Sequence, residues 1–362
     1  MLNHTYALPG IGSYVAAAIE QGSLSHVGIA IVVMVAMVIA VNFVFWRPMV
    51  AWAERFRAEE SAAAERPRSV VLDLLRHSAV PGLVARPARP AGRFLDTITR
   101  PFGLAEHPLQ RPALRTRTGD VFFAGAISVV VIFGAWKALE YVHVHLGLGA
   151  FGPAFLYGAA TFARVIVLLV VASVVWVPIG VWIGMNPRVS RLAQPVVQVL
   201  ASFPANFLFP FAAAFFVAAG ISLNVGGILL MALGAQWYIL FNVIAGASAI
   251  PSDLREAMRL MGVRGRLRWR RFILPAIFPA YVTGGITAAG GAWNASIVAE
   301  VVSYGHHHLT ATGLGAYIAQ AATVGDFPQV LVGVAVMSVY VVGLNRLVWR
   351  RLYHLAETRY SL

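Results

Sequence analysis

The stretch Leu192–Ser252, LAQPVVQVLASFPANFLFPFAAAFFVAAGISLNVGGILLMALGAQWYILFNVIAGASAIPS, carries no Asp, Glu, Lys, Arg or His from end to end. A helix needs about 20 apolar residues to cross the hydrocarbon core of a bilayer. The stretch is too long for one crossing, so it must break. Gly220-Ile221-Ser222-Leu223-Asn224-Val225-Gly226 is the expected turn. Pro204 and Pro210 predict that the first half is kinked or broken.

Working outward, further uncharged or nearly uncharged runs occupy Gly22–Trp46, Val121–Trp136, Val165–Pro187, Phe272–Ala299 and Phe327–Asn345. Together they predict an all-α polytopic transmembrane helix bundle of about seven spans. Composition agrees. Of 362 residues, 59% are hydrophobic and only 12% charged, and the mean hydropathy is +0.73. Soluble domains carry roughly 25% charged residues, so a soluble enzyme is excluded and lipid is the solvent. Met1–Gln21 does not read as a signal peptide, because it has no basic start and the apolar run begins too late.

The net charge of +13 comes with Arg residues placed between the apolar runs. Such placement is topological, and no nucleic-acid partner is expected. Arg47, the 50–120 stretch, Arg188, Arg191, the Arg255–Arg271 cluster and Arg346, Arg350 and Arg351 fall on one side. The loops near 141–160, 220–226 and 301–326 carry almost none. The basic side is therefore expected in the cytoplasm, with the C-terminus inside. Ala51–Glu65 reads as a helix leaving the membrane, and the Arg- and Pro-rich remainder to about 117 as a cytoplasmic linker.

Two absences narrow the chemistry. No Cys is present, so thiolate chemistry is excluded. Lys137, the single Lys, follows Trp136, and no Gly-Lys-Ser/Thr exists to hold a nucleotide phosphate. If ATP drives the protein, a partner binds it; no cofactor is expected in this chain. His306-His307-His308 reads as a solvated loop rather than a metal site, since consecutive His residues do not converge on one ion.

The chain repeats itself. Residues 10–57 align without gaps on 313–360 at a constant offset of 303, with about 15 identities in 48 positions. Among them are Gly10/Gly313, Gly12/Gly315, Tyr14/Tyr317, Gly22/Gly325, Asn42/Asn345, Trp46/Trp349 and Glu54/Glu357. Generic membrane helices would not share Gly-x-Gly-x-Tyr before the apolar run and Trp-Arg after it. The organisation expected is the last span and tail of an incomplete first copy (1–57), a linker (58–117) and a complete second copy (118–362) of six spans.

Between two runs lies Pro251-Ser-Asp-Leu-Arg-Glu256-Ala257-Met258-Arg-Leu-Met-Gly262, then nine residues and Phe272-Ile-Leu274-Pro275. Ser252 or Asp253 is expected to cap a short helix, and Gly262 to end it. This resembles the Glu-Ala-Ala loop of importer permeases of the ATP-binding cassette (ABC) class. Glu256, Ala257, Gly262, Leu274 and Pro275 match that pattern, with Met258 for the second Ala and Phe272 for Ile. Thr161-Phe-Ala-Arg164, Val177-Pro178-Ile-Gly180 and Gly313-Leu-Gly315-Ala-Tyr317 look like the nitrate/taurine/aliphatic-sulfonate group of such permeases. The resemblance covers 118–362 as one unit and 1–57 as the end of another, similar to permeases that fuse two units in one chain.

The resemblance implies a type I ABC importer fold in the bacterial inner membrane. It also implies a coupling helix docked on separate ATPase subunits, an external substrate-binding protein and a second permease unit. A permease has no catalytic residues. Polar residues within spans are costly in lipid and mark a cavity or a helix contact. Candidates for the translocation path are Arg164, Gln236, Trp237 and Asn242, then Trp293, Asn294 and Glu300. An ion-coupled secondary transporter would need ionisable residues deep in several spans, which are almost absent. A non-transporting scaffold leaves the capped loop and the repeat without a role.

Overall fold

The computed structural model describes residues 9–46, 48–49, 113–304 and 306–360, with the side chains of 113–120, 122 and 123 outside that description. The readings placed on Ala51–Glu65 and on the rest of the linker as far as residue 112 lie outside the described residues. The helices in chain order are α1 (Ile11–Glu20), α2 (Leu24–Val41), α3 (Ala113–His145), α4 (Phe151–Gly184), α5 (Pro187–Ser202) and α6 (Phe209–Ala219). They continue with α7 (Leu223–Ser248), α8 (Ser252–Leu260), α9 (Leu274–Ala299), α10 (Leu314–Val324), α11 (Phe327–Leu344) and α12 (Arg350–Arg359). Between α9 and α10 stand two short strands, β1 (Val301–Tyr304) and β2 (His307–Thr310). They pair antiparallel, with Val301 opposite Thr310 and Tyr304 opposite His307.

Six of the described helical stretches are long and apolar enough to cross a membrane, and counting the bent α5–α6 pair as one span makes seven. The long run breaks where the glycines fall. Helix α6 stops at Gly220, whose φ of +66° is left-handed. The Ile221 amide then bonds back to the Phe216 carbonyl, and Ser222 caps α7 by accepting from the Asn224 amide. Helices α5 and α6 meet at 81°. Pro204, which lacks an N–H, stands at that bend.

Some loops are shorter than expected. Helix α3 starts at Ala113, inside the stretch read as linker, and α4 starts at Phe151, inside a stretch read as loop. The stretch 301–326, also read as loop, holds the hairpin and α10.

The chain divides into two compact units, Met1–Val35 with Ala138–Leu362 and Ala36–Lys137. In the first, α7 is the central helix. Leu230, Met231, Ala235, Ile239, Val243 and Ala247 along it are buried. Small residues allow the backbones to approach, as expected where lipid offers no hydrophobic drive between helices. A Cβ on Gly184 of α4 would press on the Ile244 carbonyl oxygen at 2.5 Å. One on Gly284 of α9 would meet the Tyr238 carbonyl oxygen at 2.8 Å.

The offset of 303 recurs in the fold. Helices α1 and α10 start at corresponding residues, α2 and α11 span corresponding residues throughout, and each longer helix runs into a five-residue π turn, Asn42–Trp46 and Asn345–Trp349. Gly22 and Gly325 close the short helices with φ of +65° and +73°.

Candidate functional site

Two groups of residues stand out, one exposed and one buried. The exposed group is α8 with its exit. Pro251, not Ser252 or Asp253, occupies the N-cap, and no side chain caps the helix; the Ser252 hydroxyl donates to Asp253 instead. That corrects the expected cap. Asp253 remains in the first turn, where a carboxylate favours the helix dipole. At the other end Gly262 adopts φ +67°. Its amide donates to the Arg259 carbonyl at 3.1 Å, and the Val263 amide to the Met258 carbonyl at 3.1 Å. This is a Schellman closure, which requires a left-handed residue and so favours glycine.

Met258 packs on the main core, while Glu256, Leu260 and Met261 face outward, Leu260 being 82% exposed. Ala257 is half-buried. After a helical turn at Gly265–Arg268, a π turn (Trp269–Ile273) buries Phe272 and Ile273 in the core. Leu274 is exposed, and Pro275, which lacks an N–H, lies where the π turn gives way to α9.

The buried group joins four elements. Arg164, in the body of α4 rather than at the start of a span, forms an ion pair with Glu300 at 2.8 Å. Their side chains are 9% and 0% exposed. The guanidinium also donates to the Asn224 carbonyl (3.0 Å), the Asn224 side-chain oxygen (2.8 Å) and the Thr312 carbonyl (3.0 Å). Glu300 Oε1 further accepts from the Thr161 hydroxyl at 2.7 Å, and Oε2 from the Ala316 amide at 3.1 Å. Thr161 Oγ1 in turn accepts from the Leu314 amide at 2.8 Å. Two glycines make room: a Cβ on Gly313 would strike the Glu300 carboxylate, and one on Gly315 the Ser296 carbonyl oxygen. The result is a clamp tying α4, the start of α7, the end of α9 and the start of α10. A buried charge pair tolerates such a place only when its hydrogen bonds are completed.

Arg164 uses all three guanidinium nitrogens on protein acceptors. This translocation-path candidate is thus found fastened to Glu300, Asn224 and Thr312. Gln236 accepts from the Trp176 indole at 2.9 Å, and Trp237 lies against Trp176 with ring centroids 5.4 Å apart. Asn242 donates to its own helix at the Tyr238 carbonyl. Trp293 is buried against Phe162 and Tyr340, and its indole N–H has no acceptor among the described residues. Asn294 is exposed. These path candidates are thus not brought into one cluster. The Thr161–Asn224–Gly313–Gly315 half of the clamp was missed as a site in the sequence, although Thr161–Arg164 and Gly313–Gly315 were singled out as motifs. The three His residues at 306–308 lie exposed on the hairpin, His308 meeting Ser303 at 2.9 Å. No metal-holding group occurs among the described residues.

Residues 176–360 match the family model described as binding-protein-dependent transport system inner membrane component. The chain is 28% identical to an ABC transporter permease protein of Methanocaldococcus jannaschii over 64% of this chain and 82% of that protein. It is 27% identical to a glycine betaine/proline betaine transport system permease protein of Escherichia coli over 57% of this chain and 55% of that protein. A nitrate import permease protein of Leptolyngbya laminosa is 26% identical over 52% of this chain and 64% of that protein. The chain thus spans under two thirds of the length of the latter two. With an all-α membrane bundle and a match covering the coupling-type loop and the helices around it, the chain belongs to the inner membrane components of binding-protein-dependent transport systems, the permeases of ABC importers, and is a transport protein rather than an enzyme.

Proposed function

We propose that the chain is the membrane subunit of an ATP-driven importer for a small anion of the nitrate, taurine or sulfonate kind. An external binding protein delivers the solute, and separate cytoplasmic ATPase subunits bind at α8. The observation that carries this reading is α8 itself: a closed helix, rooted through Met258 and joined by the short Gly262–Arg264 link to the helical stretch that runs past the Phe272 anchor into α9, that presents Glu256, Leu260 and Met261 to a partner. Closing of the ATPases would move α8 as a rigid lever and rock α9 against α7, exchanging access between the two faces of the membrane. The C-terminus would lie in the cytoplasm with α8. Residues 1–57 would be the tail of a second permease unit. Asn294 and the Trp293 indole are proposed to reach the path in another conformation, together with Gln236, Trp237 and Asn242.

Glu256→Lys and Gly262→Pro test the coupling contact. Proline holds φ near −65° and lacks the N–H that Gly262 donates to Arg259, so the exit of α8 cannot close. Tagged protein purified from native membranes is expected to lose at least about ten-fold of its associated ATP hydrolysis, a loss worth about 1.4 kcal/mol of binding, at an unchanged level of the chain itself. ATPase association unchanged in both variants would sink the assignment.

A further inference from the structure

The N-terminal helix pair copies α10–α11 down to single hydrogen bonds. The Tyr14 amide donates to Gly10 as that of Tyr317 does to Gly313. Ser23 donates to Ala18 as Asp326 does to Ala321, both at 2.9 Å. Gly10 and Gly313 are both fully extended, with φ of 174° and −172°.

What differs is the filling. At Gly313–Ala316 the backbone wraps the Glu300 carboxylate, and no Cβ fits on either glycine. A Cβ on Gly10 or Gly12 meets nothing within 4 Å. The same contrast holds along the pair: Trp349 is 6% exposed, and the Cβ position of Gly285 is closed off by its indole ring, whereas Trp46 is 47% exposed. Glycine at the start of a helix costs backbone entropy, and at Gly10 and Gly12 the described residues supply no steric reason for it. The other copy does supply one, a carboxylate.

We propose that Gly10–Ser13 is the unfilled half of a second clamp, and that it receives the helix-end carboxylate of a permease segment outside residues 1–362. The proposal rests on reading residues 1–57 as the tail of a second permease unit. Glu300, the clamp carboxylate of this chain, is already held by Arg164, Thr161 and the Ala316 amide, so the carboxylate proposed for Gly10–Ser13 is another one. Its chemistry is that of Glu300: an acid at the end of a membrane helix, neutralised by an arginine of a neighbouring helix. The site is held beside the other unit's outer end. Val15 and Ala30 pack on Phe207, and the Tyr304 hydroxyl donates to the Gly22 carbonyl at 3.0 Å.

Gly12→Ala distinguishes the filled clamp from an open helix start. In the chain alone the new methyl has free space; in a filled clamp it strikes the partner as it does at Gly315. Gly28→Ala, also in open space, is the reference. In native membranes Gly12→Ala is expected to lower the assembled complex at least ten-fold on a native gel, with Gly28→Ala unchanged. A benzoylphenylalanine probe at Ser13 is expected to capture a peptide from a span ending in Asp or Glu on a segment outside these 362 residues. Gly12→Ala behaving like Gly28→Ala overturns the proposal, as does capture confined to lipid or to a second copy of this chain. The Glu256 and Gly262 variants report on the ATPase contact alone, so failure of that contact and failure of this clamp are told apart.

Discussion

Arg164→Met is expected to be among the most destabilising single changes in the chain, costing about 3–5 kcal/mol. It leaves the Glu300 carboxylate, 0% exposed, with the Thr161 hydroxyl and the Ala316 amide but no cation. The carboxylate is fully buried among apolar helices, so an unpaired charge there is costly. Thermal unfolding in detergent is the direct measurement. A fall on the order of 10 °C follows from the usual relation between stability and melting temperature. Arg164→Met combined with Glu300→Gln removes both charges while keeping an acceptor for Thr161. The double variant is therefore expected to regain a substantial part of the loss, with a coupling of about 1–3 kcal/mol in the double-mutant cycle. Wild-type melting of Arg164→Met alone would show that the clamp holds nothing.

Gly315→Ala tests the same clamp through shape. The added methyl strikes the Ser296 carbonyl oxygen and comes within 2.9 Å of Glu300 Oε2. Neither neighbour can give way. The Ser296 carbonyl accepts the Glu300 amide that ends α9, and the carboxylate is fixed by its donors. Overpacking of this kind costs about 1–3 kcal/mol, occasionally more, and the upper end is expected because the Ala316 bond to Glu300 is strained as well. Gly290→Ala, in open space on the body of α9, should melt within about 0.5 kcal/mol of wild type or slightly above it. Equal melting of the two variants would remove the close approach from the account.

The coupling-type loop was legible because it is local. The distance from Pro251 to Pro275, the glycine at 262 and the apolar faces of Met258 and Phe272 are properties of neighbouring residues, and the Schellman bonds follow from them. Only the N-cap differed: Ser252 and Asp253 are good capping residues, but Pro251 ahead of them already holds the extended conformation a cap needs. The break at Gly220 was legible for the same reason. The clamp was not. Arg164 and Glu300 are 136 positions apart, and each reads along the chain only as a single polar residue of a span. Nothing along the chain says that α4 turns the Arg164 side chain towards the end of α9.

The single Lys, the missing cysteines and the low charge carried further than their simplicity suggests. A chain that is 12% charged and 59% hydrophobic satisfies its backbone in lipid only as helices or as a closed barrel, and its apolar runs have helix length. The sequence by itself therefore determined the class of fold, the breaks in the long run, the short helix α8 and the repeat at an offset of 303 residues, because spacing and composition are written along the chain. The tertiary structure alone decided what the two ionisable residues Arg164 and Glu300 do, and which copy of the repeated glycines is filled. Those outcomes depend on which helices meet, and in a medium without a hydrophobic drive between helices that is set by the fit of small residues and completed hydrogen bonds, neither of which is visible one residue at a time.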